Sequence, residues 1–239
     1  MGLVRDLNSP LGTRFELRAP NPHSNTYLVM ATLYLAMLDG VTYAITNNKS
    51  QDDLLKELSK QPGDEADYLE KDRAYRSEED VFEYFNDEER ARYYGTAPAT
   101  IFENLSAFDK YPEKLKALQS GNVLSDKIIN SYRMGTEERW LTEINTRIIS
   151  NYSDEIRSFK KIHNVENALD LDVSYWQRIQ ELRVYLLKDS YTTKSLFTNI
   201  KEAIDTNNLQ EVSNLQVEMD TKMKELRDLY IIYSKNLLY

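Results

Sequence analysis

Near its C-terminus the 239-residue chain reads VSNLQVEMDTKMKELRDLYIIYSKNL over residues 212–237, and this run indicates a helical fold. Its large apolar side chains recur at spacings of three and four residues, which places them on one face of a helix. We interpret the stripe as core packing. Its members are Val212, Leu215, Met219, Met223, Leu226, Tyr230, Tyr233 and Leu237.

Comparable stripes precede it at 128–148 and 173–186, and 195–204 has the pattern of a shorter helix. All six prolines lie at or before Pro112, and Gly135 is the only glycine after Gly121, so long helices are expected in this half. The sequence therefore predicts a mainly α fold whose C-terminal region is a helical hairpin or small bundle.

The first half of the chain is predicted to contain shorter helices separated by loops. We predict short helices at 50–60, 77–85 and 86–94, with Ser77 and Asn86 as caps, and a further helix starting at Pro98. The charged segment 61–76 is predicted to be a mobile loop. The resulting division is 1–48 as a strand followed by a buried helix, 49–123 as short helices and loops, and 124–239 as a long-helix hairpin or bundle extension.

The composition and net charge of the chain disfavour several classes of function. Without cysteine the chain has no disulfide or thiolate metal site, and its net charge of −9 disfavours nucleic-acid binding. The longest apolar run, 27–38, is shorter than the roughly 18 residues that cross a bilayer. We expect a soluble, cytoplasmic protein that does not bind a membrane.

One segment does not fit an all-helical protein. Residues 13–18 alternate strictly, so a strand would place Arg14, Glu16 and Arg18 on one face. No second strand is evident, and a lone strand is not stable by itself. We therefore predict one short N-terminal β-strand whose natural neighbours are absent from this sequence.

A helix follows this strand. It is predicted to begin after Ser24 or Asn25 as N-cap and to stop at Asp39-Gly40. The helix is apolar nearly all round, which is typical of a helix covered on several sides. Either downstream helices or an upstream domain would cover it.

A carboxylate between two guanidinium groups suits an anionic phosphate ligand with a divalent cation, because arginine donates to phosphate and glutamate ligates magnesium or manganese. A solvated strand face with cross-strand ion pairs is the alternative. The spacing of Arg14, Glu16 and Arg18 alone does not choose between them.

The order and spacing of the residues around these three favour the first interpretation. RFELRAPNPHSNTYL at 14–28, closing with Leu38-Asp39-Gly40, resembles the late catalytic motif of glutamine synthetases. A weaker likeness to that family's C-terminal helices follows in 97–105 and 121–133. Residues beyond about 149 resemble the helical extension of an unusually long bacterial form. Thr26, Met37 and Asn21 depart from the family pattern, but none of them is a candidate ligand.

The resemblance implies that Glu16 ligates one of two Mg²⁺ or Mn²⁺ ions, that Arg18 contacts the glutamate substrate or its acyl phosphate as the catalytic arginine, and that Arg14 contacts the nucleotide phosphates. The implied reaction is ATP-dependent amidation of glutamate by ammonia through γ-glutamyl phosphate. Arginines and metals would stabilise charge in such a phosphoryl transfer. The implied assembly is a homo-oligomeric ring with sites between subunits.

The resemblance implies that 1–48 is the end of a catalytic domain and that its short β-strand is left over from that domain. The family's other metal ligands precede this motif and are not found in the sequence. We therefore expect the chain alone to be inactive and to contribute to a site completed upstream. His23 and His163 lie outside the family's metal-histidine motif and are interpreted as ordinary turn or helix residues. The alternative hypothesis is a non-catalytic helical interaction module.

Overall fold

The computed structural model describes residues 2–4, 6–12, 14–17, 20–70, 74–164, 166 and 168–236, and these form a mainly helical protein, as predicted. The chain divides into two compact units. Unit 1 comprises residues 1–96 and 111–129, and unit 2 comprises 97–110 and 130–239. The elements are β1 (Gly2–Val4), β2 (Arg14–Glu16), α1 (Thr26–Thr46), α2 (Gln51–Leu58), α3 (Val81–Tyr84), α4 (Asp87–Tyr94), α5 (Ile101–Lys110), α6 (Pro112–Gln119), α7 (Asp126–Thr142), α8 (Ile149–Ser158), α9 (Asp170–Leu187), α10 (Leu196–Asp205) and α11 (Leu209–Asn236).

The predicted strand exists, but the prediction that it has no partner in this chain is wrong. β2 pairs with β1 in an antiparallel ladder in which Gly2 lies opposite Glu16 and Val4 opposite Arg14. Three residues are too few for a period-two pattern to stand out, so β1 carried no recognisable signal. A two-stranded ribbon of this length is marginal by itself and gains stability from packing against other elements.

Helix α1 begins where predicted and ends later than predicted. Asn25 is its N-cap and accepts a hydrogen bond from the Leu28 N–H at 3.1 Å. The helix continues through Gly40 to Thr46, because an internal glycine costs only about 1 kcal/mol and tertiary contacts outweigh so small a cost. The helix ends with Asn47 as its C-cap, and the next residue, Asn48, adopts a left-handed φ of 50°.

In unit 1, α1 is joined to its neighbours by polar contacts. The Tyr43 hydroxyl donates to Glu57 of α2 at 2.6 Å, and Lys49 pairs with the same carboxylate at 3.1 Å. Asp39 lies 3.5 Å from Lys114 of α6. These contacts fix α1 against α2 and α6.

The other caps in unit 1 follow the sequence in part. Capping boxes form at Ser50 with Asp53 and at Asn86 with Glu89, the latter as predicted. For α3 the N-cap is Asp80 and not Ser77, because the Asp80 side chain accepts from the Phe82 N–H at 2.8 Å. The helix is correspondingly shorter than the predicted 77–85.

The segment predicted as a mobile loop is anchored at several points. Its ends meet in a bridge in which the Lys60 N–H donates to Arg76 and the Arg76 N–H donates to Leu58, both at 2.8 Å. Gly63 donates to Glu89 of α4 at 2.8 Å. Within the segment, Ala66 is buried in a small cluster with Phe85 and Tyr93.

Unit 2 is organised around α11, whose stripe is buried as predicted. Helices α9 and α10 pack along it, and α5 contacts it near its start. The fully buried members of the predicted stripe are Val212, Met219, Met223, Leu226 and Tyr233. Leu237 lies outside the described residues.

A π-helical segment, Glu143–Ile148, joins α7 to α8 without breaking the helix. From Trp140 onward the buried residues of this run are Trp140, Ile144, Ile149, Ser153 and Ile156, so one interval is five residues while the others are three or four. A π turn accommodates one extra residue. The segment therefore keeps Ile149 and Ile156 on the core side of the bundle.

Polar contacts complete unit 2. The hydroxyls of Thr100 and Ser213 lie 2.6 Å apart in a buried hydrogen bond that ties the start of α5 to α11. Arg227 of α11 donates twice to Glu155 of α8, at 2.6 and 2.7 Å. These bonds set the register between helices that the apolar core holds together.

Replacing Met223 by alanine is expected to lower the free energy of unfolding of unit 2 by about 2–5 kcal/mol, because it opens a cavity in a fully buried position. Urea unfolding followed by circular dichroism measures the change. Met223→Leu should cost less than about 1.5 kcal/mol, and Ile231→Ala, which is half exposed on the same helix, about 0.5 kcal/mol or less. Equal stability of Met223→Ala and the parent would contradict the assignment of α11 as the core helix.

The Glu155–Arg227 pair predicts a pH dependence. Hydrogen bonds from Arg227 lower the pKa of Glu155, so the pair stabilises the folded state above the unfolded pKa of about 4.3, and this contribution is lost as pH falls through the folded pKa. A double-mutant cycle with Glu155→Gln and Arg227→Met should give a coupling below about 1 kcal/mol at neutral pH, since both side chains are partly exposed. Coupling that persists unchanged at pH 3 would contradict this account.

Candidate functional site

The connection between β1 and β2 is shaped by Asp6. Its Oδ1 accepts hydrogen bonds from the N–H groups of Asn8 at 2.8 Å and Ser9 at 3.1 Å. A short 3₁₀ turn, Pro10–Gly12, then leads into β2. A Cβ on Gly12 would lie 2.4 Å from Asp6 Oδ2, so the absence of a side chain there lets the turn close. The aspartate followed by Asn8 and Ser9 is a turn signal that sequence analysis missed.

The turn delivers two of the three predicted site residues. Arg14 and Glu16 are alternate residues of β2, so they lie on the same face of the ribbon. Arg14 is exposed and its Nη1 lies 3.4 Å from the Gly12 carbonyl oxygen, whereas Glu16 is half-buried. Arg18 lies outside the described residues. The structure thus brings together one carboxylate and one guanidinium group.

A second turn connects this strand to α1. The Asn21 side chain accepts from the His23 N–H at 2.8 Å, and its carbonyl oxygen accepts from the Ser24 N–H at 2.9 Å. Asn25 then caps α1. His23 is an exposed residue of this turn, as predicted. The turn that precedes α1 and the start of that helix are therefore held by local hydrogen bonds within residues 21–28.

His163 serves a structural purpose in unit 2. It is buried, its Nδ1 lies 2.7 Å from the Tyr233 hydroxyl, and its ring meets the Tyr233 ring edge-on. That hydroxyl also accepts from the backbone N–H of His163 at 3.2 Å. This histidine closes the segment before α9 onto the end of α11, in keeping with the interpretation of it as an ordinary residue.

Metal binding was tested on the donors that the structure describes. Among those residues, no group of three or more histidine and acidic side chains could hold a metal ion. Glu16 supplies one carboxylate, while divalent cations such as magnesium take several oxygen ligands. The described part of the chain therefore does not form a metal centre by itself, although Glu16 is suited to contribute one ligand.

The surface of α1 is the other notable feature of this segment. Large apolar residues on this helix are exposed, and at 100° per residue they fall within a single sector about 100° wide. We call this sector the α1 stripe: Tyr27, Met30, Tyr34, Met37, Leu38, Val41 and Ile45. No residue of α1 is buried.

By length and composition, α1 could also cross a membrane. Its 21 residues have a mean hydropathy of 1.6 over the most apolar window. The 12-residue run considered in the sequence was too short an estimate, because the helix continues beyond Gly40. Apolar helices from the cores of soluble proteins share this composition, so it does not identify a membrane span.

Comparison with known proteins identifies the segment that contains these features. Residues 3–71 match the family model of the glutamine synthetase catalytic domain. The curated proteins and the solved structures give no significant match. The matched residues include β2 with Arg14 and Glu16, the turn after it, and all of α1. Residues 3–71 are therefore similar to a glutamine synthetase catalytic domain, and the match supports the predicted likeness to the C-terminal part of such an enzyme.

Proposed function

We propose that this chain contributes to a glutamine synthetase that amidates glutamate with ammonia at the expense of ATP, through γ-glutamyl phosphate. The observation that carries the proposal is the family match over residues 3–71, which covers both the Arg14–Glu16 strand and α1. The reaction joins an activated carboxyl group to an amine, so its site must hold phosphate and carboxylate charge in place.

The proposed role of each side chain follows from its chemistry. Glu16, which is half-buried, would hold one divalent cation. Arg14, which is exposed on the same face, would bind nucleotide phosphate through its forked donors. Arg18 would orient the substrate carboxylate or acyl phosphate. When bound, magnesium or manganese would neutralise charge on the transferred phosphate.

The α1 stripe supports the view that other parts of a catalytic domain complete this site. A contiguous apolar sector of this kind is typical of an interaction surface. Asp39 is the only charged residue in α1, and it pairs with Lys114 away from the stripe. An apolar helix face without flanking charges suits burial inside a domain more than contact with water.

The same proposal covers assembly and location. The remaining metal ligands and the ATP and glutamate contacts would come from other parts of a catalytic domain or from neighbouring subunits of a homo-oligomeric ring. The protein would act in the cytoplasm without a membrane partner. The chain by itself would then be inactive, since Glu16 is one ligand of a larger set.

A non-catalytic helical interaction module is the second candidate. Unit 2 favours this second function, because its helices enclose a core of their own that is centred on α11. The match over residues 3–71 lies in unit 1, so the two functions are compatible. Unit 2 could serve assembly while unit 1 contributes to catalysis.

Replacing Glu16 by alanine in a complete enzyme carrying this segment is expected to reduce glutamine formation at least about 100-fold, because one metal ligand is lost. The assay measures glutamine formed from ATP, ammonium and glutamate, and size-exclusion chromatography checks assembly. Glu88→Ala, an exposed carboxylate of α4, is the matched control and should leave activity unchanged. Full activity of Glu16→Ala would remove the basis for its catalytic role.

The absence of cysteine allows a direct test of the α1 stripe. A Leu38→Cys variant of this chain should react rapidly with a thiol reagent, since Leu38 is 57% exposed. The same cysteine in a complete enzyme should be protected at least about 100-fold, as other parts of the catalytic domain bury it. Mass spectrometry of the labelled peptide measures both rates.

Glu88→Cys on α4 serves as the exposed control in both proteins. Equal labelling of Leu38→Cys in the chain and in the complete enzyme would contradict burial of the stripe. Protection of Leu38→Cys in the chain alone by added phospholipid vesicles would instead support membrane binding and would count against the proposed location.

A further inference from the structure

Unit 2 contains a small cavity that no part of the proposed function uses. It lies between α5, α7 and the start of α11 and has a volume of about 130 Å³. Its apolar lining includes Phe102, Leu105 and Trp140, of which the last two are almost fully buried. At its rim are three charged residues, Asp109, Arg133 and Glu137.

Two of the rim charges neutralise each other. Arg133 donates to both carboxylate oxygens of Asp109, at 2.9 and 2.6 Å, in the forked geometry of a strong ion pair. These hydrogen bonds lower the pKa of Asp109, so the pair remains ionised at neutral pH. The guanidinium charge is therefore already matched.

The third charged residue of the rim is Glu137, and its charge is not neutralised by an ion pair with any described residue. Glu137 is half-buried, and within the part of the chain that the structure describes it has no hydrogen bond and no ion pair. Arg133 interacts electrostatically with Glu137, but its guanidinium group is paired with Asp109. The rim thus carries a net charge of −1, placed beside an apolar cavity.

Trp140 shapes the apolar part of the cavity. Its indole Nε1–H donates to Gln216 at 2.8 Å, so the polar atom of the ring is satisfied. The other ring atoms that it offers to the cavity are carbon. The apolar lining therefore favours a ligand with a hydrocarbon part.

We propose that this cavity binds a small organic cation of the primary alkylammonium class. The hydrocarbon chain would occupy the space lined by Phe102, Leu105 and Trp140, and the ammonium group would pair with Glu137. The size of the cavity limits the ligand to a few carbon atoms. This inference is independent of the role of unit 1 in glutamine formation.

The experiment uses the full chain with Trp176→Phe, which leaves Trp140 as its only tryptophan. Titration with n-butylammonium at constant ionic strength should change Trp140 fluorescence in a saturable manner. A millimolar dissociation constant is expected for a ligand with so few non-hydrogen atoms. Sodium butyrate, which has a similar chain and the opposite charge, should give no saturable change.

Glu137→Gln should weaken n-butylammonium binding at least about 10-fold, because a charge-assisted hydrogen bond is lost. Glu138→Gln is the matched control, since it removes the adjacent exposed carboxylate, which does not line the cavity. Saturation-transfer NMR on the unmodified chain measures the same binding if Trp176→Phe impairs folding.

Three results would overturn the proposal. The first is the absence of saturable binding by both methods. The second is equal weakening by Glu137→Gln and Glu138→Gln. The third is tighter binding of butyrate, or of the zwitterion norvaline, than of n-butylammonium, which would show that Arg133 and not Glu137 selects the ligand.

Discussion

The burial of apolar helix faces is the constraint on which this structure depends, and the two units satisfy it differently. In unit 2 the stripe of α11 is covered by α9 and α10, and Met219, Met223 and Leu226 are completely enclosed. In unit 1 the α1 stripe is exposed along the helix. The hydrophobic effect therefore accounts for the stability of unit 2 within this chain, whereas α1 calls for a further apolar surface.

The exposed α1 stripe lies in the segment that matches the family model. The match to the glutamine synthetase catalytic domain ends at residue 71, within unit 1. The matched segment contains both the strand ribbon, which presents Arg14 and Glu16 on one face, and α1 with its exposed stripe. The charged residues and the apolar surface therefore belong to one short stretch of the chain.

Sequence reasoning succeeded where a local signal decided the structure. The predicted caps at Asn25 and Asn86 mark helix starts correctly, and the stripe of α11 identifies its buried face. It failed where the contact that decides the structure is distant in the sequence, or where the sequence pattern is only a few residues long. β1 is three residues long, α1 passes through Gly40, and the π segment depends on matching two helix faces to one core.

The candidate site shows the same limit. Alternation along a strand was enough to place Arg14 and Glu16 together, but no pattern could show which other groups complete a site built from separate parts of a protein. The cavity in unit 2 could not be predicted from the sequence either, because Asp109 belongs to α5 and its partner Arg133, 24 residues later, belongs to α7. Convergence of side chains from different helices requires the folded structure.

A structure of a complete, assembled enzyme with magnesium, glutamate and a non-hydrolysable ATP analogue tests the central claim most directly. The account predicts a carboxylate oxygen of Glu16 at about 2.0–2.1 Å from a bound magnesium ion, with the α1 stripe buried in the same domain. A Glu16 side chain more than about 5 Å from every bound metal, with the α1 stripe still exposed, would contradict it.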